Sequence, residues 1–304
     1  MKIIVTGGAG FIGSHLTDKL IQENNQVIVI DNLSTGRKEN LNPKADFYNL
    51  DINDFEKISP FFENIDWVFH LAAIPRVPVS IKDPINTCRT NILGAINVFK
   101  AASENKVKRV VFASSSSVYG NQKDLPLKED MLPNPLSPYA LQKFTSEKFA
   151  KLFVQLDNIP IICLRYFNVY GPRIDPKSEY SLVIGKFLTQ KSQNMPLTIF
   201  GDGEQTRGFC YIDDVINANI QAIKSQKLKG GEIINIGSPK AYSINFLAKL
   251  IGKEVKYLDS RPGDIRHTQA DISLAQSLLN WEPKTDFKKG LEKTKQWFEQ
   301  EYGK

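Results

Sequence analysis

A glycine-rich turn between a strand-like run and a helical pattern constrains this chain more than any other feature of its sequence. Lys2–Thr6 reads as a strand, Phe11–Gln22 as a helix, and Gly7-Gly8-Ala9-Gly10-Phe11-Ile12-Gly13 joins them. The junction fits G-x-x-G-x-x-G through Gly7, Gly10 and Gly13, and G-x-G-x-x-G through Gly8, Gly10 and Gly13. Glycine permits the tight turn, lets backbone approach a pyrophosphate, and lets helix and strand pack closely. The helix N-terminus then offers unpaired N–H groups and a partial positive charge to phosphate.

The same βα alternation repeats. Gln26–Asp31, Asp46–Asn49, Trp67–Leu71, Arg109–Ser114 and Ile161–Tyr166 read as strands, several of them continuously apolar, and Phe55–Glu63 and Thr90–Asn105 as helices. Continuous apolar runs belong to parallel strands buried on both faces. The expected fold is therefore α/β, a doubly wound parallel sheet of Rossmann type with right-handed crossovers. Asp31 closes the second strand eighteen residues after Gly13. A carboxylate there accepts hydrogen bonds from the adenosine ribose and repels a 2′-phosphate, which favours NAD over NADP.

Beyond the sixth strand the character changes. Residues 168–207 are rich in Gly, Pro and polar residues, with a helix expected at Leu182–Lys191. Ile212–Lys224 reads as a helix and Glu232–Ile236 as a strand. The expected division is an NAD-binding domain over 1–167, to which 212–237 returns, and a smaller discontinuous α/β substrate domain mainly over 168–304. Ligands of open α/β sheets sit at the carboxyl ends of the strands, so the cleft between the two is the expected site.

Composition narrows the function classes. With 304 residues, 41% hydrophobic and 24% charged, the chain is of ordinary globular type. No apolar run approaches the ~20 residues that cross a bilayer, and MKIIVTGG reads as a first strand rather than a signal peptide. Cys88, Cys163 and Cys210 match no metal spacing and suit reduced thiols in the cytoplasm. The net charge of +6 comes from Lys and Arg spread along the chain among Asp and Glu. That pattern is a solvated surface, argues against nucleic acid, and suits small anionic ligands. His15, His70 and His267 form no metal-ligand spacing. His15 reads as helix packing and His70 sits at the fourth strand's end.

Ser137 is a plausible N-cap and Pro138 an N1 residue for a helix that carries Tyr139 and Lys143 on one face. Tyrosine, with pKa ~10, is a poor base at neutral pH. An ammonium about 5 Å away, at an effective dielectric of ~20, supplies roughly 3 kcal/mol towards the phenolate. Such a pair is suited to take a proton from an alcohol as hydride leaves for NAD. The pair follows Val110–Gly120, where a buried strand ends in Ser114, Ser115, Ser116 and Ser117. Hydroxyls there point into the expected cleft and can bond a sugar hydroxyl as its proton departs.

Together these residues resemble the extended short-chain dehydrogenase/reductase family, and within it the UDP-sugar 4-epimerases. The resemblance runs over essentially the whole chain: Gly7–His15, Asp31–Gly36, Asp51-Ile52, His70–Ala73, Asn91, Ser114–Gly120, Tyr139/Lys143, Arg165–Arg173, Gly201–Asp214 and Arg261–Asp264. It implies that Gly7, Gly10, Phe11, Ile12, Gly13, Asp31, Asn32, Ser34 and Gly36 hold NAD. It also implies that Asp51 and Ile52 meet the adenine, that Leu71, Ala72, Ala73 and Asn91 line the cofactor groove, and that Tyr166 lies near the nicotinamide. Tyr139, Lys143 and Ser115 become the catalytic set, with Ser116 and Ser117 close to the hexose. Asn168 contacts the diphosphate-sugar, Val183 and Phe200 help form the nucleotide pocket, Arg207 and Arg261 bind the diphosphate, and Asp264 holds the ribose. Two arginines on a pyrophosphate make physical sense, because charge-assisted pairs with phosphate are strong and directional.

The implied reaction removes the C4-hydroxyl proton and C4 hydride, turns the 4-keto sugar over, and returns hydride to the other face. Resembling dehydratases and decarboxylases carry acidic residues where this chain has Ser116 and Ser117, which favours epimerisation. Thr268 stands where strict UDP-glucose/galactose enzymes carry a bulky tyrosine, which leaves room for a C2 N-acetyl group. UDP-glucuronate 4-epimerase is the nearer rival. A non-catalytic NAD-binding protein is the more distant one, since such proteins lose the tyrosine or the lysine. The resemblance further implies a homodimer built from the helices after Asn91 and around Tyr139.

Overall fold

Successive side chains of an extended strand face opposite sides of its sheet, and this chain makes both sides apolar. Ile3, Val5, Val27, Val29, Phe69, Val111, Ile162 and Leu164 enter one core cluster. Their alternates Ile4, Ile28, Ile30, Val68, Val110, Phe112, Ile161 and Cys163 enter a second on the opposite face. The computed structural model describes residues 1–175, 183–252, 254–260 and 265–303. Its main sheet has seven strands: β1 (Lys2–Thr6), β2 (Gln26–Ile30), β3 (Asp46–Tyr48), β4 (Trp67–His70), β5 (Arg109–Ser115), β6 (Ile161–Tyr166) and β7 (Ile233–Ile236). They are all parallel, in the spatial order β3-β2-β1-β4-β5-β6-β7. The order reverses between β1 and β4, so connections diverge there and leave a crevice at their carboxyl ends.

Helices cover both faces. α1 (Phe11–Gln22) lies on the first face through Leu16 and Leu20, α2 (Gly94–Glu104) on the second through Ala95, Val98 and Phe99. α3 (Pro138–Asp157) adds Ala150 to the second core. Further along come α4 (Val183–Ser192), α5 (Ile212–Lys224), α6 (Ile244–Ile251) and α7 (Phe287–Tyr302). α5 packs Ile212, Val215 and Ile216 into the first core, and that core runs on through Phe187, Leu197, Leu247 and Phe298. Three small sheets accompany these later helices: Val169–Tyr170 with Cys210–Tyr211; Tyr242–Ser243, Thr206–Arg207 and His267–Thr268; and Leu197–Phe200 with Val255–Leu258.

Two expected helices differ in detail. The 55–63 segment breaks into Phe55–Ile58 and a tighter turn at Ser59–Phe62, because Pro60 has no N–H to continue the first. The helix expected from Thr90 opens with a wide turn at Arg89–Leu93, where the Asn91 side chain reaches across to the Ile74 backbone, before α2 proper. β5 runs one residue further than expected, so that Ser115 pairs with Tyr166.

The junction of β5 and α5 is locked by one cation. Arg109 Nη1 donates to the carbonyls of Ala222, Ile223 and Ser225 at 3.2, 3.0 and 2.7 Å, and Nη2 to Leu228 at 3.0 Å. The last carbonyls of a helix have no partner within it, so Arg109 supplies the C-terminal cap of α5. Arg109→Met should cost about 3 kcal/mol, since bonds from a charged donor are lost and carbonyls are left unpaired. A lowered urea midpoint at unchanged slope is the expected reading; an unmoved midpoint contradicts it.

Candidate active site

At the carboxyl end of β1 the chain turns at Gly7, whose φ is +74°. A Cβ on Gly7 would lie 2.6 Å from the Ala72 nitrogen, so the turn after β1 touches the loop leaving β4. A Cβ on Gly13 would lie 2.1 Å from the Gly7 oxygen, which is why only glycine lets α1 start so close to β1. Gly10 caps α1 without a side-chain bond, and the first helical bond is Ser14 N to Gly10 O at 3.0 Å. The N–H groups of Phe11, Ile12 and Gly13 therefore precede the helical ladder. Asp31, just past β2, is buried; its carboxylate accepts from Ala9 N at 2.9 Å and Leu33 N at 2.8 Å. Burial raises its pKa, and these two donors oppose that. Gly36 packs so tightly that a Cβ would lie 2.9 Å from both Asp31 oxygens.

The surrounding loops brace this cradle. Asn32 donates to Asp51 at 3.0 Å and accepts from Ser34 N at 3.0 Å. Ile52 is buried against Gly94, and its carbonyl accepts from Asn97. Leu71 and Ala72 hang from Thr6 through their N–H groups, with half-buried Ala73 next along. Asn91 is buried and spans Ile74 N, Ile74 O and Gln142 Oε1, while the Tyr166 hydroxyl donates to Asn219 at 2.8 Å. Asn91 and Tyr166 thus shape the groove as internal struts. An uncapped helix start, a loop without room for side chains and an adjacent buried carboxylate fit a dinucleotide.

α3 opens as expected, Ser137 Oγ accepting from Ala140 N at 3.2 Å. It brings buried Tyr139 and Lys143 to the end of β5. Tyr139 N donates to Ser80 Oγ at 3.0 Å, and Ser115 lies close enough to its phenol to favour the phenolate. Ser115 Oγ accepts in turn from the N–H and hydroxyl of Ser117 at 3.2 and 2.9 Å. Ser116 opens the short turn Ser116–Tyr119 beside them. Lys143 Nζ donates to the Ala113 carbonyl at 2.8 Å and stands 4.8 Å from the Phe112 ring centre.

Lys143 is expected from the sequence to favour the Tyr139 phenolate, and the structure adds two further groups that do so. Burial pushes Tyr139 up to about 12, and the groups opposing it are Ser115 and Arg76. The ammonium is turned to the β5 backbone and is itself pushed down to about 8 by burial, with Glu147 and Cys163 opposing. Arg76, overlooked in the sequence, belongs to the loop leaving β4 and lies 3.5 Å from Asp175.

A cavity of about 250 Å³ lies among α4 and the small strands, lined by Asn168, Val183, Phe200 and Arg207 among others. The sequence places these four far apart; the small strands and α4 bring them together. Asn168, with φ of +37°, donates to Thr268 Oγ1 at 3.0 Å and to Gly208 O at 3.3 Å. Thr268 is buried behind it, on the strand paired with Thr206–Arg207. Lys186, over the Phe200 ring at 4.7 Å, and Gln205 also line the cavity. Gln205 donates to the Phe200 carbonyl at 2.9 Å, while its buried Oε1 has no partner among the described residues. No motif distinguished Lys186 in the sequence, and Gln205 went unremarked inside the Gly201–Asp214 segment. Arg261 and Asp264 lie outside the described residues.

The NAD dependent epimerase/dehydratase family model matches residues 3–237. The chain belongs to that family. It is 43% identical to a putative UDP-glucose 4-epimerase of Methanocaldococcus jannaschii, over 97% of each chain. The crystal structure of the Thermotoga maritima UDP-glucose 4-epimerase with UDP-glucose superposes with a TM-score of 0.95 at 38% identity, covering 99% of both chains. The UDP-N-acetylglucosamine 4-epimerase of Methanobrevibacter ruminantium in complex with UDP-N-acetylmuramic acid gives 0.94 at 40%, covering 99% of this chain and 98% of that one. Like its family, the chain uses NAD, and the cradle at Gly7–Gly13 and Asp31 fits that cofactor. Among the described residues no helix is long and apolar enough to cross a membrane, and no cluster of three or more His, Cys, Asp or Glu could hold a metal.

His70 ends β4 under this site, bonded to Thr6 Oγ1 at 2.7 Å and stacked on Phe112. Burial, and then the Lys143 charge, push it down from 6.5 to about 3. A histidine depressed in the folded chain stays neutral there while the unfolded chain takes up a proton. Stability should therefore fall as pH drops below about 6.5, by up to roughly 1.4 kcal/mol per pH unit. Urea titrations of His70→Gln should show a shallower fall between about pH 6 and pH 5 than the parent; parallel curves would contradict the assignment.

Proposed function

We propose that this protein inverts C4 of a UDP-hexose or UDP-N-acetylhexosamine through a 4-keto intermediate. One observation carries the reading: α3 brings buried Tyr139 beside Ser115 at the end of β5, with Lys143 on its next turn bonded to Ala113 of the same strand. In this reading Tyr139 takes the C4-hydroxyl proton and later returns it, while Ser115 bonds the same sugar oxygen. When bound, NAD would supply the acceptor and donor of the C4 hydride and a positive charge that favours the Tyr139 phenolate. Gly7, Gly10, Phe11, Ile12, Gly13, Asp31 and the 32–36 loop hold it. Val183 and Phe200 flank the base, Arg207 pairs with the diphosphate, and Asn168 steadies the sugar-bearing phosphate. Arg261 on the diphosphate and Asp264 on the ribose complete the proposed set. Held by its nucleotide alone, the keto ring is free to turn over.

Hydroxyls at Ser116 and Ser117 offer no carboxylate for eliminating water or carbon dioxide, which supports epimerisation over dehydration or decarboxylation. The family relation to a UDP-N-acetylglucosamine 4-epimerase supports acetamido sugars, as does the short Thr268 side chain. Arg76 favours a second reading, UDP-glucuronate 4-epimerisation. Its charge acts on Tyr139 directly, and a uronate carboxylate sits one carbon from the ring position beside C4.

Incubation with UDP-glucose, UDP-N-acetylglucosamine and UDP-glucuronate, with epimers resolved by NMR, tests these readings. Turnover of at least one is expected, and loss of roughly 10³-fold or more in Tyr139→Phe. Unchanged turnover in that variant would overturn the catalytic assignment. Turnover of UDP-glucuronate alone would replace the acetamido reading by the second.

The proposal includes a homodimer. Ile85, Leu93, Leu141, Leu152 and Leu156 are exposed along the 84–104 helices and α3, an apolar face suited to a four-helix interface between copies. Sedimentation of the wild type should give twice the chain mass, and Leu141→Glu/Leu152→Glu should give the monomer. A monomeric wild type contradicts the dimer.

A further inference from the structure

Glu147 takes no part in the chemistry above, yet its side chain is 0% exposed directly beneath it. A carboxylate without water is costly unless its oxygens are fully paired. Ser114 Oγ and Arg165 Nε donate to Oε1 at 2.5 and 2.9 Å, and Arg165 Nη2 donates to Oε2 at 2.7 Å. Ser114 and Arg165 are register partners on β5 and β6, and the next pair along is Ser115 with Tyr166. One turn earlier on α3, Lys143 grips Ala113. Successive turns of α3 thus hold successive residues of β5 immediately before Ser115, and the turn before those carries Tyr139. Arg165 is braced from behind, its guanidinium 4.6 Å from the Tyr119 ring, whose hydroxyl donates to Asn235 at 2.6 Å.

We propose that Glu147 is a positioning residue for the epimerase reaction: with Ser114 and Arg165 it locks α3 onto the ends of β5 and β6, sets Ser115 against Tyr139, and keeps a negative charge beside the Lys143 ammonium. The catalytic part of this rests on the epimerase reading. Lys143 is faced by Glu147 on its own helix, by Ala113 and Phe112 on β5, by His70 on β4 and by Cys163 on β6. Burial disfavours its charged form, and Glu147 is foremost among the groups opposing that. Without the carboxylate, Lys143 loses its proton at lower pH. An ion pair that served stability alone would leave that titration where it is.

The test uses the NAD-loaded protein. Glu147→Gln keeps the shape and removes the charge. Because it leaves Arg165 buried and unpaired, Glu147→Gln/Arg165→Met is the companion variant that keeps the core neutral. In both, kcat should fall roughly tenfold or more with KM within about twofold, and the alkaline limb of the kcat profile should move to lower pH. NMR of lysine labelled at Cε, with Lys143 assigned by its loss in Lys143→Arg, should show its midpoint shifted the same way. A Lys143 midpoint and an alkaline limb that coincide with the wild type, with losses confined to thermal stability, would overturn the proposal. If the wild type turns over no UDP-sugar, the epimerase reading falls, while the Lys143 titration still decides whether Glu147 sets its charge.

Discussion

Parallel pairing ends all seven strands of the main sheet at one edge, and everything placed for chemistry in this protein stands on that edge. Gly7 leaves β1 there, Asp31 leaves β2, Leu71 leaves β4, Ser115 ends β5 and Tyr166 ends β6. The arrangement holds because both faces of the sheet are apolar and each is covered by helices, so no strand can slip by one residue without turning core side chains outward. A rigid edge of that kind positions groups from distant parts of the chain with little backbone freedom left to lose.

Burial has two effects at this edge. It excludes water around Tyr139 and Lys143, which strengthens every charge interaction there. It also drives both groups towards their neutral forms, the phenol up and the ammonium down. Accepting a proton needs the phenolate, and supporting it needs the ammonium, so the site depends on compensating charge: Arg76 near the phenol and Glu147 near the ammonium. Glu147 in turn is tolerable only because Arg165 and Ser114 satisfy it. A chain of interior pairings therefore stands behind two residues that a motif alone would present as sufficient.

Much of this was legible in the sequence. The six leading strands, α1 and α5 lie within a residue of their expected bounds, because apolar runs that bury both faces are unambiguous and Gly7–Gly13 punctuates them. The cradle and the Ser115–Tyr139–Lys143 set were legible because their spacing is local: a turn, a strand end and one helical face. Arg76, Glu147 and Lys186 were not. Each sits in an ordinary helix or loop pattern, and its meaning comes from groups elsewhere in the chain, as Glu147 from Arg165 and Lys186 from the cavity it lines.

By itself, then, the sequence determined the βα alternation, the tight glycine turn with its carboxylate eighteen residues on, and the Tyr139/Lys143 face, since each follows from steric rules acting over a few residues. Only the tertiary structure decided how the charges are balanced and which late segments close the cavity lined by Asn168 and Arg207. Those outcomes depend on desolvation and on contacts across 18 residues between Glu147 and Arg165, and 100 between Asn168 and Thr268. No local pattern encodes the loss of water that makes such contacts matter.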